Sequence, residues 1–223
     1  MKELPVRILG VSGSPIEEGN VDTLLQDALA GQTGVPGVEF EIVRLSSGLE
    51  ISDCCQCNWC LKKQAAERYC CRDDDMRDIY PKLDAADVLV FATPVYFGRL
   101  SGYLASFIDR LRVYVHGNVS HGLLRDKVGA SIAVAWFRMG GLEIATATLN
   151  QFFFSVNMVI AAPELGLAGA TAFSSLEGTG ARMEDDRLLV MRDELGVASA
   201  HSAVARAVEL SRLLRAGKDA LGI

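Results

Sequence analysis

Val6-Arg7-Ile8-Leu9-Gly10-Val11, followed by Ser12-Gly13-Ser14-Pro15, is a short apolar run that ends among small and hydroxyl residues. Such a run, stopped by glycine and proline, reads as a strand meeting a turn. From about Asn20 the apolar positions Val21, Leu24, Leu25, Ala28 and Leu29 recur at helical spacing. Strand, turn, helix is the opening unit of a parallel sheet, because a parallel neighbour needs a crossover to bring the chain back.

The unit repeats outward from there. Val38 to Val43 alternates as a second strand, and Asp73-Asp74-Asp75-Met76 opens a helix with acidic residues at its positive end. Ala86 to Ala92 is a third strand, apolar on both faces, ahead of a helix from Ser101 to about Val113. Val128 to Ala135 is a fourth strand, Leu142 to Phe154 a helix, and Met158 to Ala162 a fifth strand. Glu184 to Arg215, broken near Gly196, reads as the closing helical region. The expected fold is α/β: a doubly wound five-stranded parallel sheet in one domain over residues 1–223, with a cysteine-rich insertion at 50–72 after the second strand.

Half the residues are hydrophobic (50%) and 22% are charged, the balance of a well-packed globule. Net charge is −6 and the basic residues are dispersed, which argues against nucleic acid as a partner. The start of the chain lacks a secretory pattern, and the longest uncharged apolar run, Val128 to Phe137, is too short for a bilayer. A reducing, cytoplasmic setting without membrane attachment is the expectation.

Ligands of open parallel sheets bind beyond the carboxyl ends of the strands. That selects the loops Ser12 to Asn20, Thr93 to Gly98 and Trp136 to Gly141. The first offers small residues and a helix N-terminus to an anion, with no Lys or Arg, an arrangement suited to one terminal monophosphate. Neither the triphosphatase pattern nor G-x-G-x-x-G is present. An ordinary strand-to-helix turn is the alternative. In the second loop Tyr96 and Phe97 offer flat faces to a ring, and Pro94 stiffens the turn. The third joins Trp136 and Phe137 to Gly140 and Gly141, with Arg138 able to meet a negative charge. Tyr96 and Arg138 are the candidates for tuning such a ring.

All six cysteines lie between Cys54 and Cys71: Cys54, Cys55, Cys57 and Cys60, then Cys70 and Cys71. The spacing Cys54-x2-Cys57-x2-Cys60 turns successive thiolates toward one soft centre. Three readings stand: an iron–sulfur cluster, a zinc site, or free thiols in redox exchange. Trp59 and Leu61 are placed to shield a cluster or simply to pack. His116, His121 and His201 show no ligand partner, and Asp73 to Asp75 read as a helix start rather than a metal site.

Gly13-Ser14-Pro15 with Gly19-Asn20, the cysteine run, Cys70 ahead of Asp74-Asp75-Met76, Thr93-Pro94-Val95-Tyr96-Phe97-Gly98, Ser101-Gly102, Phe107-Ile108-Asp109-Arg110 and Gly140-Gly141-x-Glu143 follow one another in that order. Together these motifs resemble the NADPH-dependent FMN reductase group of flavodoxin-like proteins, specifically its iron–sulfur flavoprotein branch. The resemblance implies FMN held by the three loops. Ser12, Ser14, Pro15, Gly19, Asn20 and Val21 would surround the phosphate, Thr93, Pro94, Val95, Tyr96 and Phe97 would flank the ring, and Phe137, Arg138, Gly140 and Gly141 would close over it. It implies a [4Fe–4S] cluster on Cys54, Cys57, Cys60 and Cys70, and a homodimer or homotetramer that completes the flavin site. The return from Cys60 to Cys70 is longer than the family's usual gap, and Cys71 stands beside Cys70 as an alternative fourth ligand.

The function expected is an FMN-dependent oxidoreductase passing electrons between NAD(P)H or ferredoxin and an acceptor through the cluster. The alternatives are an NAD(P)H-dependent FMN or quinone reductase lacking a cluster, a zinc-stabilised flavoprotein, and a non-enzymatic electron-transfer flavoprotein. No side chain is assigned as a catalytic acid or base, because the cofactor carries the chemistry.

Overall fold

A computed structural model describes residues 5–166 and 168–222. The chain runs β1 (Val6–Ser12), α1 (Asn20–Ala30), β2 (Val38–Arg44), α2 (Met76–Ala85), β3 (Val88–Tyr96), β4 (Arg99–Leu100), α3 (Gly102–Arg110), α4 (Arg112–His116), β5 (Val128–Ala135), α5 (Leu142–Ser155), β6 (Val159–Ile160), β7 (Ala170–Phe173) and α6 (Glu194–Leu221). Short 3-10 turns lie at Trp59–Leu61 and Leu189–Arg192.

The strands stand in the order β2-β1-β3-β5-β6, all parallel, which is the flavodoxin-like winding expected. Alternation along the strands sorts the core. Leu9, Val11, Leu89 and Phe91 face Phe107, Leu149 and Phe153 on one side of the sheet. Ile8, Val88, Val90 and Ala92 face Leu24 and Leu25 of α1 and Ala203, Val204 and Ala207 of α6 on the other. β3 and β5 are buried on both faces along nearly their whole length, so they read as unbroken apolar runs.

Four boundaries differ from the sequence reading. The fifth strand is divided: only β6 pairs with the start of β5, while β7 pairs with its far end, Ile132 to Ala135. The closing helix begins at Glu194 and runs unbroken through Gly196. Gly196 serves close packing instead of breaking the helix, since a Cβ there would lie 2.5 Å from Ala172 Cβ. The helix expected from Ser101 to Val113 is two helices, α3 and α4. Finally, Thr93 to Tyr96 extend β3, and only Phe97-Gly98 turn. Both turn residues have positive φ, 51° and 76°, as a two-residue hairpin onto β4 requires.

Candidate functional site

The three selected loops meet at the carboxyl end of the sheet. In the first, Gly19 caps α1 without a side-chain hydrogen bond, so the leading N–H groups of the helix face the loop uncovered. The hydroxyl of Ser12 donates to the buried carboxylate of Asp22, which also accepts the Glu18 N–H at 3.0 Å. Arg44, at the end of β2, holds that carboxylate from 3.3 Å and supplies the cation that the loop sequence lacks. The Ser14 hydroxyl turns onto Ile16, and Asn20 ties α1 to the backbone of Arg187 and Val190. Ser12 and Asn20 thus shape the loop; the N–H groups of Gly13, Ser14, Ile16, Glu18 and Gly19 are bonded within the protein, which leaves those at the start of α1 as the open donors.

The second loop is a strand end and a hairpin tip. Thr93 and Pro94 are buried, and the Thr93 hydroxyl accepts the Ser101 N–H at 3.0 Å. Ser101, which caps α3, donates to Gly13 O at 2.6 Å and so joins the first loop to the second. Val95 is half-buried, Tyr96 is exposed, and Phe97 is fully exposed in left-handed backbone, an uncommon state for a bulky residue. Partial burial raises the Tyr96 phenol above its ordinary pKa.

The third loop touches the second through glycine. Gly141 has φ 98°, and a Cβ there would stand 2.5 Å from Gly98 Cα. Phe137 and Met139 are exposed beside this contact. Arg138 turns away from it: its guanidinium donates to Glu177 O at 2.6 Å and lies 5.2 Å from the Phe173 ring centre. Arg182 lies 4.5 Å from the Trp136 ring centre instead. The segment after β7, which carries Ser175, Glu177 and Arg182, braces this loop from far along the chain, and no local sequence pattern announces it.

The cysteine stretch leaves the sheet after β2 and packs against α3 and α4. All six cysteines line one small pocket together with Arg110 and Arg112. Gln56 and Asn58 have φ 51° and 59° on either side of Cys57, an alternation of handedness that turns backbone N–H groups inward. The Trp59 N–H and the Cys71 thiol together hold the Cys57 thiol below its ordinary pKa. Burial pushes the Cys60 thiol up against the opposing pull of Arg112, whose guanidinium lies 3.6 Å from its sulfur. The hydrogen bond to Cys57, helped by burial, pushes Cys71 up to about 11. Among the described residues, no three His, Cys, Asp or Glu side chains are placed to hold a single metal ion.

The long return from Cys60 to Cys70 is held around Gln64. The buried Gln64 amide accepts the N–H groups of Val119 and Ser120 at 2.9 and 3.1 Å and donates to Tyr69 O at 3.0 Å. Residues 65–68 close a tight turn beside it, and Asn118 donates its N–H to Cys60 O. The near side of the stretch hangs on Arg110. This buried guanidinium binds Asp74 through both nitrogens and donates to Ser52 O at 2.7 Å. Asp74 also accepts the Ser52 N–H, and Asp75 accepts that of Glu50. The acidic run therefore anchors the cysteine stretch, a role beyond the helix start expected of it. Trp59 stacks under Arg68 at 5.3 Å, Leu61 is exposed, and His201 pairs with Asp27 at 2.7 Å.

One helix borders both regions. Tyr103 and Ser106 of α3 line a cleft of about 390 Å³ with Tyr96 and with Leu45, Leu49 and Ile51. Ser106 donates to Asp53, next to Cys54, and Arg110 at the end of the same helix lines the cysteine pocket.

The chain matches the model of NADPH-dependent FMN reductases over residues 6–172. It is similar to an iron-sulfur flavoprotein of Methanocaldococcus jannaschii, 30% identical over 210 residues that cover 94% of this chain and 100% of the relative. A second iron-sulfur flavoprotein of that organism is 32% identical over 193 residues, 85% of this chain and 93% of the relative. Among solved structures, RosB with its bound intermediate, a formylated riboflavin phosphate, superposes with a TM-score of 0.66 at 16% identity, over 95% of this chain and 81% of that one, a likeness of fold alone. Among the described residues no helix is long and apolar enough to cross a membrane. The chain belongs to the NADPH-dependent FMN reductase family and is an FMN oxidoreductase of flavodoxin-like fold.

Proposed function

We propose that this oxidoreductase couples FMN to a [4Fe–4S] cluster held by Cys54, Cys57, Cys60 and Cys70, and moves electrons between NAD(P)H or ferredoxin and a small-molecule acceptor in the cytoplasm. The observation that carries the reading is the single pocket lined by all six cysteines and three arginines, Arg72, Arg110 and Arg112, joined by α3 to the cleft under Tyr96. Four thiolates on a cluster leave a net negative charge, and Arg112, 3.6 Å from the Cys60 sulfur, stands where it offsets part of it, while Arg110 is paired with Asp74. The alternating backbone around Cys57 further suits an anionic centre.

The shape of the sheet's carboxyl end supports placing FMN there. The uncapped start of α1 would receive the phosphate, with Ser12, Asn20 and the Asp22–Arg44 pair keeping the loop in form. Tyr96 and Phe97 would flank the ring, and the Gly98–Gly141 contact keeps the third loop close enough to cover it. Bound FMN supplies the exchange of electrons in pairs or singly, and a bound cluster supplies one-electron traffic. Phe97, Met139 and Ile16 stand exposed at this end, and a second copy of the chain covering them would exclude water from the flavin.

Anaerobic purification followed by iron, sulfide, zinc and FMN analysis tests the reading. Iron and sulfide in equal amounts, about four of each per FMN, support it. Flavin with zinc or without iron sinks the cluster. Reduction of the anaerobic protein by NADH, NADPH or reduced ferredoxin then identifies the donor.

A further inference from the structure

Six cysteines line the pocket and a cluster takes four. Of the two left over, Cys55 and Cys71, the second stands against a proposed ligand: the Cys71 sulfur lies 3.3 Å from the sulfur of Cys57. We propose that Cys57 and Cys71 form a thiol–disulfide exchange site whose substrate is a small-molecule disulfide, and that its closure competes with cluster binding; the competition, though not the site, rests on Cys57 being a cluster ligand.

The geometry favours this pair. A disulfide needs its sulfurs about 2 Å apart. The separation of 3.3 Å is closed by side-chain rotation, because Cys57 sits at the exposed tip of its loop and Cys71 is half-exposed. The vicinal pairs Cys54–Cys55 and Cys70–Cys71 would have to distort the peptide between them. Cys60 is buried and turned toward Arg112, which withdraws it from an incoming disulfide.

The exchange proceeds in two displacements. The exposed Cys57 sulfur attacks one sulfur of the small disulfide, forming a mixed disulfide and releasing one thiol. Cys71 then attacks the Cys57 sulfur, forming the Cys57–Cys71 bond and releasing the second thiol. Two cysteine thiols lose two electrons and two protons, and the small disulfide gains both. A thiol reductant reverses the sequence. With Cys57 held by Cys71, the compact three-cysteine motif lacks its middle ligand, so the closed loop cannot take up a cluster until it is reduced.

Full-length protein stripped of metal and treated with oxidised glutathione tests the site. The free thiol count is expected to fall from six to four, with a non-reducing peptide map linking Cys57 to Cys71. Cys71→Ser should stop at the first step and carry one glutathione on Cys57, whereas Cys55→Ser should still form the link. Untreated Cys71→Ser should take up as much iron on reconstitution as the wild-type chain, and treated wild-type chain should take up iron only after reduction. A link from Cys57 to Cys55 or Cys70, or no link, overturns the site. Loss of iron from untreated Cys71→Ser makes Cys71 a ligand and overturns the competition. Failure of untreated wild-type chain to bind iron overturns the cluster reading instead, and the peptide map still decides the pair.

Discussion

The two ends of α3 border regions built in opposite ways. The proposed flavin end is made by the backbone: strand ends, a hairpin tip and a glycine-on-glycine contact between Gly98 and Gly141. The cysteine pocket is made by side chains, with Arg110, Asp74 and Gln64 fastening an otherwise irregular stretch to the helices around it. A backbone-built site fails when a residue needs more room. A side-chain-built site fails when one anchor is removed, and the two modes of failure separate experimentally.

The largest effect is expected from Arg110→Met. It leaves the Asp74 carboxylate buried without its cation, a loss of about 3–5 kcal/mol. At this chain length that corresponds to a fall in Tm of roughly 10 °C. Thermal unfolding checks the size, and metal analysis checks the location: iron should fall well before FMN does. Equal loss of both cofactors would merge the two regions into one unit.

Gly141→Ala attacks the other end. Its φ of 98° and the 2.5 Å approach to Gly98 mean that even a methyl group forces the third loop outward. A left-handed alanine costs about 1–2 kcal/mol before the clash is counted, so FMN binding should weaken about tenfold or more. Quenching of flavin fluorescence on titration measures it. Iron content should stay at the wild-type level, and a parallel drop in iron would break the comparison.

How far each region was legible in the sequence follows from the same contrast. The parallel strands and the three loops were readable because each loop directly follows its own strand. Even so, Pro94 disguised the end of β3. It lies beyond Ser12↔Ala92, the last β1 pair, where β3 keeps one parallel neighbour and a missing N–H need not break a ladder. The divided fifth strand was hidden because Ala170 to Phe173 is short and follows Pro163 and Gly166, which look like plain loop. At the cysteine pocket the gathering of the six cysteines was legible and the residues that support the stretch were not. Gln64 meets Ser120 and Arg110 meets Asp74 across several intervening helices and strands, and neither partner is marked by local spacing.

Acid should sharpen the comparison further. Burial pushes the Asp74 carboxyl up, but the Arg110 hydrogen bond, the Ser52 N–H and the Arg110 charge outweigh it and hold the carboxyl below the ordinary value of 3.8. A group depressed in the folded state contributes stability that is complete above its unfolded pKa and lost as pH falls through the folded one. Urea midpoints should therefore hold from neutral pH to near pH 4 and decline below it, with Asp74→Asn losing part of that decline. An unchanged acid limb in the variant would remove Asp74 from the account.

The smallest effect carries the sharpest reading of the flavin end. Phe97 holds φ 51° with its ring fully in solvent, so in the isolated chain it bears strain without compensating burial. Phe97→Gly relieves that strain, and although glycine adds freedom to the unfolded chain, the balance at a left-handed turn position favours the folded state by about 0.5–1 kcal/mol. Chemical denaturation of the apoprotein should show a small gain in stability. The same substitution should weaken FMN binding and shift the chain toward lower oligomers, because the ring is then missing from the surface that flavin and a second copy would cover. Unfolding curves, flavin titration and sedimentation on one variant separate these effects. Gain in all three would mean that the exposed ring serves neither flavin nor assembly, and that the hairpin tip is strained for a reason outside this site.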